Sequence, residues 1–88
     1  MEEDVIYIGK KPIMKYISGI VLQFHTGKGK IKIVARGKMI SKAVDVVQAA
    51  KNKFLKDLNI NKVEIGTQEI ERDGKKSNVS VIEIEISK

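Results

Sequence analysis

Three clusters of basic residues carry the side chains in this sequence that are best suited to a binding chemistry. The clusters are Lys10 with Lys11, Arg36 with Lys38, and Arg72 with Lys75 and Lys76. Ammonium and guanidinium groups bind phosphate oxygens through charge-assisted hydrogen bonds. Phosphate contact is therefore our prediction for each cluster, and the alternative is a solvated loop whose charges extend into water.

Lys10 and Lys11 stand directly before Pro12, and proline suits the first position of a helix. A helix N-terminus carries a partial positive charge, so two lysines there cost about a few tenths of a kcal/mol. The same helix end binds anions through its unpaired N–H groups. We expect Lys10 and Lys11 to contact phosphate together with nearby backbone N–H groups.

The other two clusters have features of their own. Gly37, between Arg36 and Lys38, would let the backbone approach a ligand closely. The third cluster flanks the dipeptide Asp73-Gly74, which is a β-hairpin signal. Such a hairpin could act as an arm that reaches into a groove, as β-ribbon proteins do.

Residues suited to catalysis or metal binding form no convincing group. His25 is the single histidine and there is no cysteine. We expect His25 to be a helix C-terminal or partly buried residue, because a catalytic histidine requires a nucleophile and an orienting group. We expect Glu83 and Glu85 to form a solvated stripe that pairs with lysines, rather than a metal site or an acid/base pair. P-loop and G-x-G-x-x-G spacings are absent. The sequence predicts no enzyme, no metal and no cofactor.

Hydrophobic periodicity and turn signals predict six elements in the order β-α-β-α-β-β. The predicted ranges are 4–9, 12–25, 30–35, 39–58, 62–70 and 78–86, with residues 71–77 joining the last two strands. This order predicts an α/β fold, in detail an α+β two-layer sandwich with a four-stranded mixed sheet packed on two helices. Residues 1–88 are expected to form one domain.

The predicted topology brings the basic clusters together. Each β-α-β unit joins parallel strands, so the first three strands should point the same way. All three clusters then follow the ends of strands and share one edge of the sheet, where ligands of open α/β sheets tend to bind. The acidic residues Glu2, Glu3 and Asp4 fall at the opposite edge.

The predicted second helix has an unusually wide apolar surface. Its apolar residues cover an arc of roughly 180°, against the ~100° that contact with one core requires. Either the helix lies deep within its own domain, or it packs on its own sheet and also on a partner subunit.

Composition favours an anionic partner. Seventeen Lys and Arg against eleven Asp and Glu leave a net charge of +6 on 88 residues. Nucleic acid is the first expectation and an acidic membrane surface the second. No window approaches the ~18 apolar residues of a membrane span, and the acidic start "MEEDV" differs from a secretory signal. We expect a cytoplasmic protein.

The four aromatic residues, Tyr7, Tyr16, Phe24 and Phe54, fall mostly in apolar patterns. Single-strand binders usually expose rings on which bases stack. The scarcity of aromatic residues in this chain favours sequence-tolerant binding through the nucleic-acid backbone.

The stretches "VIYIGKKPIMKYI" and "IVARGKMISKAVDVVQAAKNKFL" strongly resemble the Alba family of archaeal chromatin proteins. "VEIGTQEI" and "RDGKKSNVSVIEIEISK" are similar to the closing hairpin of that family. The resemblance covers nearly the whole chain. It implies the β-α-β-α-β-β fold shared with the C-terminal domain of a translation initiation factor. It further implies a homodimer that binds double-stranded DNA and RNA with little sequence preference.

The resemblance also implies roles for single residues. Lys10 and Lys11 match nucleic-acid-binding lysines, and Lys10 matches a lysine whose acetylation weakens DNA binding in some members. Arg36 and Lys38 match two loop arginines, the second replaced here by lysine, which loses bidentate geometry. Phe54 matches an aromatic residue through which dimers meet on DNA. The hairpin with Arg72, Lys75 and Lys76 matches one that lies along the minor groove.

The sequence thus predicts a protein that coats and compacts DNA on the chromosome. An RNA chaperone or a subunit of a ribonucleoprotein enzyme is the nearest alternative. A small-ligand α/β domain or enzyme, and a protein scaffold whose basic edge meets an acidic partner, are more distant ones.

Overall fold

A computed structural model describes residues 4–88, in which four strands and two helices follow one another as predicted. Glu2 and Glu3, which were expected opposite the basic edge, lie outside the described residues. The elements are β1 (Asp4–Tyr7), α1 (Ile13–His25), β2 (Lys30–Arg36), α2 (Ile40–Ala49), β3 (Asn59–Arg72) and β4 (Lys75–Ser87). A 3-10 turn at Gly37–Met39 leads into α2, and a π-helical turn at Ala50–Phe54 follows it.

The four strands form one mixed sheet in the order β1-β2-β4-β3. β1 is parallel to β2, whereas β4 is antiparallel to both β2 and β3. β1, β2 and β3 therefore point the same way, and the prediction of their common direction is confirmed.

The core lies between the helices and one face of the sheet. Alternate residues of β2 and β4 point to this helix side, and the helices cover them with their own apolar stripes. The buried side chains include Ile31, Ile33, Ile84 and Ile86 of the sheet and Ile17, Ile20, Val46 and Val47 of the helices. Burying one such side chain stabilises the fold by about 1.5–3 kcal/mol. The opposite side, here called the outer face, carries no helix.

The prediction of one helix over 39–58 is wrong at its C-terminal end. Helical structure ends at Phe54, after a wide turn in which the Leu55 N–H donates to the Ala50 carbonyl at 2.7 Å. Leu55 and Leu58 are buried without being helical. The Lys51 ammonium donates to the Leu58 carbonyl at 2.7 Å, which holds the chain back against the helix end. Spacing alone could not distinguish this buried turn from another turn of helix.

The closing hairpin is longer and tighter than predicted. The ladder between β3 and β4 continues to the pair Arg72 and Lys75, so the connection is Asp73-Gly74 rather than 71–77. Both turn residues have positive φ, 50° and 76°, as a two-residue type I′ turn requires. β2 ends opposite Val81, and six further pairs of the hairpin lie beyond it. At ~3.4 Å per residue, this hairpin arm (residues 67–80) projects roughly 20 Å.

Candidate nucleic-acid interface

The loop that carries Lys10 and Lys11 joins β1 to α1, and both lysines are exposed. Its backbone is fixed by the hydroxyl of buried Tyr16, which accepts hydrogen bonds from the N–H groups of Gly9 at 2.8 Å and Lys11 at 3.2 Å. These two N–H groups are therefore occupied within the protein. The expectation that nearby backbone N–H groups join a phosphate site is wrong for Gly9 and Lys11.

Lys42 on α2 holds the same loop from the other side. Its ammonium donates to the carbonyls of Gly9, at 2.7 Å, and Lys11. It also lies 5.4 Å from the centre of the Tyr16 ring, within the range of a cation–π contact. Because Lys42 sits near the start of α2, it draws the loop with Lys10 and Lys11 towards the turn after β2. Sequence reasoning missed it, since its partners are backbone atoms 31 and 33 residues away.

The turn after β2 carries the second cluster. Arg36 is the last residue of the strand and Lys38 lies in the 3-10 turn, both exposed. Gly37 between them has a φ of 58°, a left-handed conformation that side chains disfavour. The glycine is therefore required by the turn itself. Lys10, Lys11, Arg36 and Lys38 are here called the basic rim.

Arg36 has a partner that sequence reasoning missed. Its Nη1 donates to Oε1 of Gln68 on β3 at 3.4 Å, across the outer face of the sheet. Arg36 is in register with Val81, and Val81 with Gly66, so a position without a side chain lies at the end of that row. A Cβ at Gly66 would meet no atom within 4 Å, so the surface beside this contact is open. No pattern in the sequence signals a contact across three strands.

The third cluster lies at the far end of the hairpin arm. Arg72 and Lys75 form the last pair, and strand alternation puts them on the outer face with Gln68. Lys76 lies on the other face, where its Nζ is 3.7 Å from Oε1 of Glu69. All three clusters are thus at one end of the sheet, as expected. They do not form a single edge, because the arm carries the third cluster roughly 20 Å beyond the rim.

The residues weighed for catalysis or metal binding remain apart. His25 is an exposed residue at the end of α1. Oε1 of Glu83 lies 3.8 Å from Nζ of Lys32, in agreement with the expected pairing with lysines. A hydrogen bond of 2.7 Å between Lys62 and Glu64 raises the pKa of the lysine and lowers the pKa of the carboxyl. Residues 4–88 contain no cluster of three or more His, Asp or Glu side chains fit for a metal ion.

Phe54 lines an open apolar groove between α1 and the π-helical turn. The groove has a volume of about 380 Å³, and Met14, Val21 and Leu22 contribute to its lining. Phe54 is 49% exposed, so this ring is not part of the core. In the described part of the chain, neither helix has the length and apolar character needed to cross a membrane.

Fold and site define a small basic α+β protein whose charges collect on a rim and an arm at one end of its sheet. The chain belongs to the Alba family, whose sequence model matches residues 4–67. This confirms the resemblance seen in the sequence.

Relatives match the chain over nearly its whole length. It is 40% identical over 87 residues to the DNA/RNA-binding protein Alba of Methanothrix thermoacetophila, covering 99% of this chain and 98% of that protein. It is 44% identical over 87 residues to the protein of the same name from Thermoplasma acidophilum, with the same coverage. Among solved structures, Alba from Thermoplasma volcanium superposes with a TM-score of 0.92 at 42% identity, covering 97% of this chain and 100% of that one.

Proposed function

We propose that this chain is a non-enzymatic, sequence-tolerant double-stranded DNA-binding chromatin protein that coats and compacts DNA as a homodimer, and that it also binds RNA. The observation that carries the proposal is the placement of exposed Lys10, Lys11, Arg36 and Lys38 on one rim, with the basic arm beside it. The relatives named above are DNA/RNA-binding proteins by name. We assign the protein to the nucleoid in the cytoplasm.

The rim and the arm suit different parts of a duplex. Tyr16 and Lys42 hold the backbone of the loop that carries Lys10 and Lys11, and Gln68 holds Arg36, so most of the rim is positioned to meet phosphates. The arm is a narrow two-stranded ribbon with Arg72, Lys75 and Lys76 near its tip, and it follows the minor groove away from the rim. Backbone contacts of this kind position a protein without reading sequence.

The helix-side face of β3 supports the homodimer. Val63 and Ile65 are in register with Ile84 and Ile82, which are buried under the helices. Ile65 itself is 83% exposed, because the helices do not extend over β3. A second copy of the chain would bury this apolar strip, on the side away from the outer face.

The groove at Phe54 supports contact between dimers. Phe54, Met14 and Leu22 expose apolar surface around this groove. Adjacent dimers on one duplex would cover it. This contact would give the coating its continuity along DNA.

Lys10 is the proposed site of acetylation. It is exposed in a loop whose backbone is fixed by other residues, so the side chain itself is accessible. Acetylation removes the charge of a lysine and with it a phosphate contact. Modification of Lys10 would weaken DNA binding without disturbing the loop.

The test is the salt dependence of binding to duplex DNA. Log affinity should fall linearly with log salt, with a slope of about −0.9 for each phosphate neutralised. Lys10→Ala/Lys11→Ala should weaken binding and flatten the slope. Lys28→Ala/Lys30→Ala is the matched control, because it removes the same charge at the opposite end of the sheet. Equal effects of both variants, or binding that ignores salt, would contradict the proposal.

RNA is the second candidate for the main cellular target, since both curated relatives carry DNA and RNA in their names. In that case the protein would act as an RNA chaperone or within a ribonucleoprotein enzyme. Competition between A-form RNA and B-form DNA duplexes at equal salt decides between them. Preference for the B-form duplex supports the chromatin role, and preference for RNA the alternative.

A further inference from the structure

The outer face of the sheet carries a concave surface of which only Arg36 has a part in the roles above. It has a volume of about 400 Å³ and lies next to the basic rim. The side chains that line it include Tyr7, Val34, Arg36, Gln68 and Val81. Tyr7 is 73% exposed, the highest value among the four aromatic residues.

Tyr7 is one of the four aromatic residues that were expected to fall mostly in apolar patterns, and its place in β1 explains its exposure. β1 alternates, so Ile6 faces the helices whereas Val5 and Tyr7 face outwards. Tyr7 is in register with Val34 of β2, which provides an apolar neighbour on the same face. A large ring is thus held on a rigid strand with most of its surface in water, although burial would have been favourable.

The polar side chains that line the surface, Arg36 and Gln68, hold each other in place. Gln68 accepts one hydrogen bond from Arg36 through Oε1, which leaves its amide NH₂ to donate. The guanidinium of Arg36 has five N–H donors and uses one in this contact. An exposed aromatic ring and hydrogen-bond donors therefore line the same surface, together with the apolar side chains of Val34 and Val81.

We infer that this surface binds an unpaired base of single-stranded RNA. The base stacks on Tyr7, and its polar edge accepts hydrogen bonds from Gln68 and Arg36. Bases within a duplex are already stacked, whereas RNA loops and ends present splayed bases that stack on aromatic side chains. The inference rests on the proposed nucleic-acid binding, because the rim would hold the phosphates on either side of that base.

Neighbouring features favour a nucleic-acid base over another occupant. Arg36 belongs both to this surface and to the rim, so the surface continues directly into the cations. Gly66 offers no side chain at the end of the row Arg36, Val81, Gly66, and a Cβ there would meet no atom within 4 Å. The site is therefore open towards the arm, along which a strand can continue.

The test compares two ligands and two substitutions at one position. The ligands are an unstructured single-stranded RNA with one 2-aminopurine, whose fluorescence falls on stacking, and a DNA duplex. Tyr7→Ser should weaken RNA binding roughly tenfold, the effect of losing one base–aromatic stack, and abolish the added quenching. Tyr7→Phe should preserve both, because the ring is retained. Affinity for the duplex should stay the same in both variants.

A control variant and two outcomes complete the experiment. Val5→Ser changes an outward residue of the same strand outside the surface, and it should leave RNA binding unaltered. The inference is overturned if Tyr7→Ser binds RNA like the wild type, or if it loses duplex affinity to the same extent. If the wild-type protein binds neither ligand, the proposed function itself fails.

Discussion

Single residues outside the basic clusters fix the position of the Lys10 and Lys11 loop and of Arg36. The Tyr16 hydroxyl and the Lys42 ammonium bind the loop backbone, so the side chains of Lys10 and Lys11 are not needed to hold the loop. Gln68 instead accepts a hydrogen bond from the Arg36 guanidinium itself. The sequence predicted the cations, because charge and local context identify them. It could not predict their supports, since each contact joins residues that only the tertiary fold brings together.

A prediction at this scale concerns the Tyr16 hydroxyl. Tyr16→Phe keeps the buried ring but leaves the N–H groups of Gly9 and Lys11 without their acceptor. Because these groups are only partly buried, we expect a loss of about 1 kcal/mol in the free energy of unfolding. We also expect weaker duplex binding, because the loop with Lys10 and Lys11 becomes less ordered. Urea denaturation and a DNA titration measure the two effects.

The matched control is Tyr7→Phe, which removes the same atom from an exposed tyrosine. It should leave both the free energy of unfolding and duplex affinity unaltered. If Tyr16→Phe behaves like Tyr7→Phe, the hydroxyl does not hold the loop.

At the scale of elements, the sequence predicted every helix and strand and misplaced several ends. Strand ends in the hairpin were missed because Glu71, Lys76 and Ser77 have low strand propensity, while cross-strand pairing extends the ladder through them. The end of the second helix was missed because Leu55 and Leu58 keep helical spacing in a buried turn. The first error has a functional consequence, since the predicted arm is a paired ladder up to a two-residue turn and does not end in a loop over 71–77.

A prediction at this scale concerns that arm. Arg72→Ala/Lys75→Ala removes the pair nearest the turn, where both side chains are exposed and on one face. Stability should not change, because no described hydrogen bond or ion pair of these two residues is lost. The salt slope for duplex binding should become shallower by about 2 for each subunit of the dimer, one for each phosphate contact removed. Equilibrium titrations over a range of salt concentrations provide the measurement.

Lys28→Ala/Lys30→Ala again serves as the charge-matched control, since those lysines lie at the other end of the sheet. A wild-type slope in the arm variant, or an equal change of slope in the control variant, would contradict contact between the arm and DNA.

At the scale of the whole molecule, the sequence predicted one positively charged end, and the described residues show a rim with a projecting arm. The common direction of β1, β2 and β3 brings the clusters to that end, which the order of elements was enough to predict. The distance between rim and tip could not be predicted, because it depends on the length of the ladder. Of the two alternatives for the wide apolar arc of the second helix, burial deep within its own domain is wrong for part of the arc, and packing on a partner subunit stays a prediction. Val46 and Val47 are in the core, whereas Val44 and Phe54 are exposed.

The last prediction concerns the oligomeric state. The strip at Val63 and Ile65 is apolar, in register with the core, and uncovered in a single chain. Ile65→Asp puts a charge there, and burying an unpaired carboxylate on association is strongly unfavourable. We expect light scattering to show a dimer for the wild type and a monomer for the variant. Duplex affinity should fall as well, because one rim then binds without the effective concentration supplied by the second. Val5→Asp, an apolar-to-acidic change on the outer face, should remain dimeric. A dimeric Ile65→Asp would place the contact between subunits elsewhere, and a monomeric wild type would contradict the proposed homodimer.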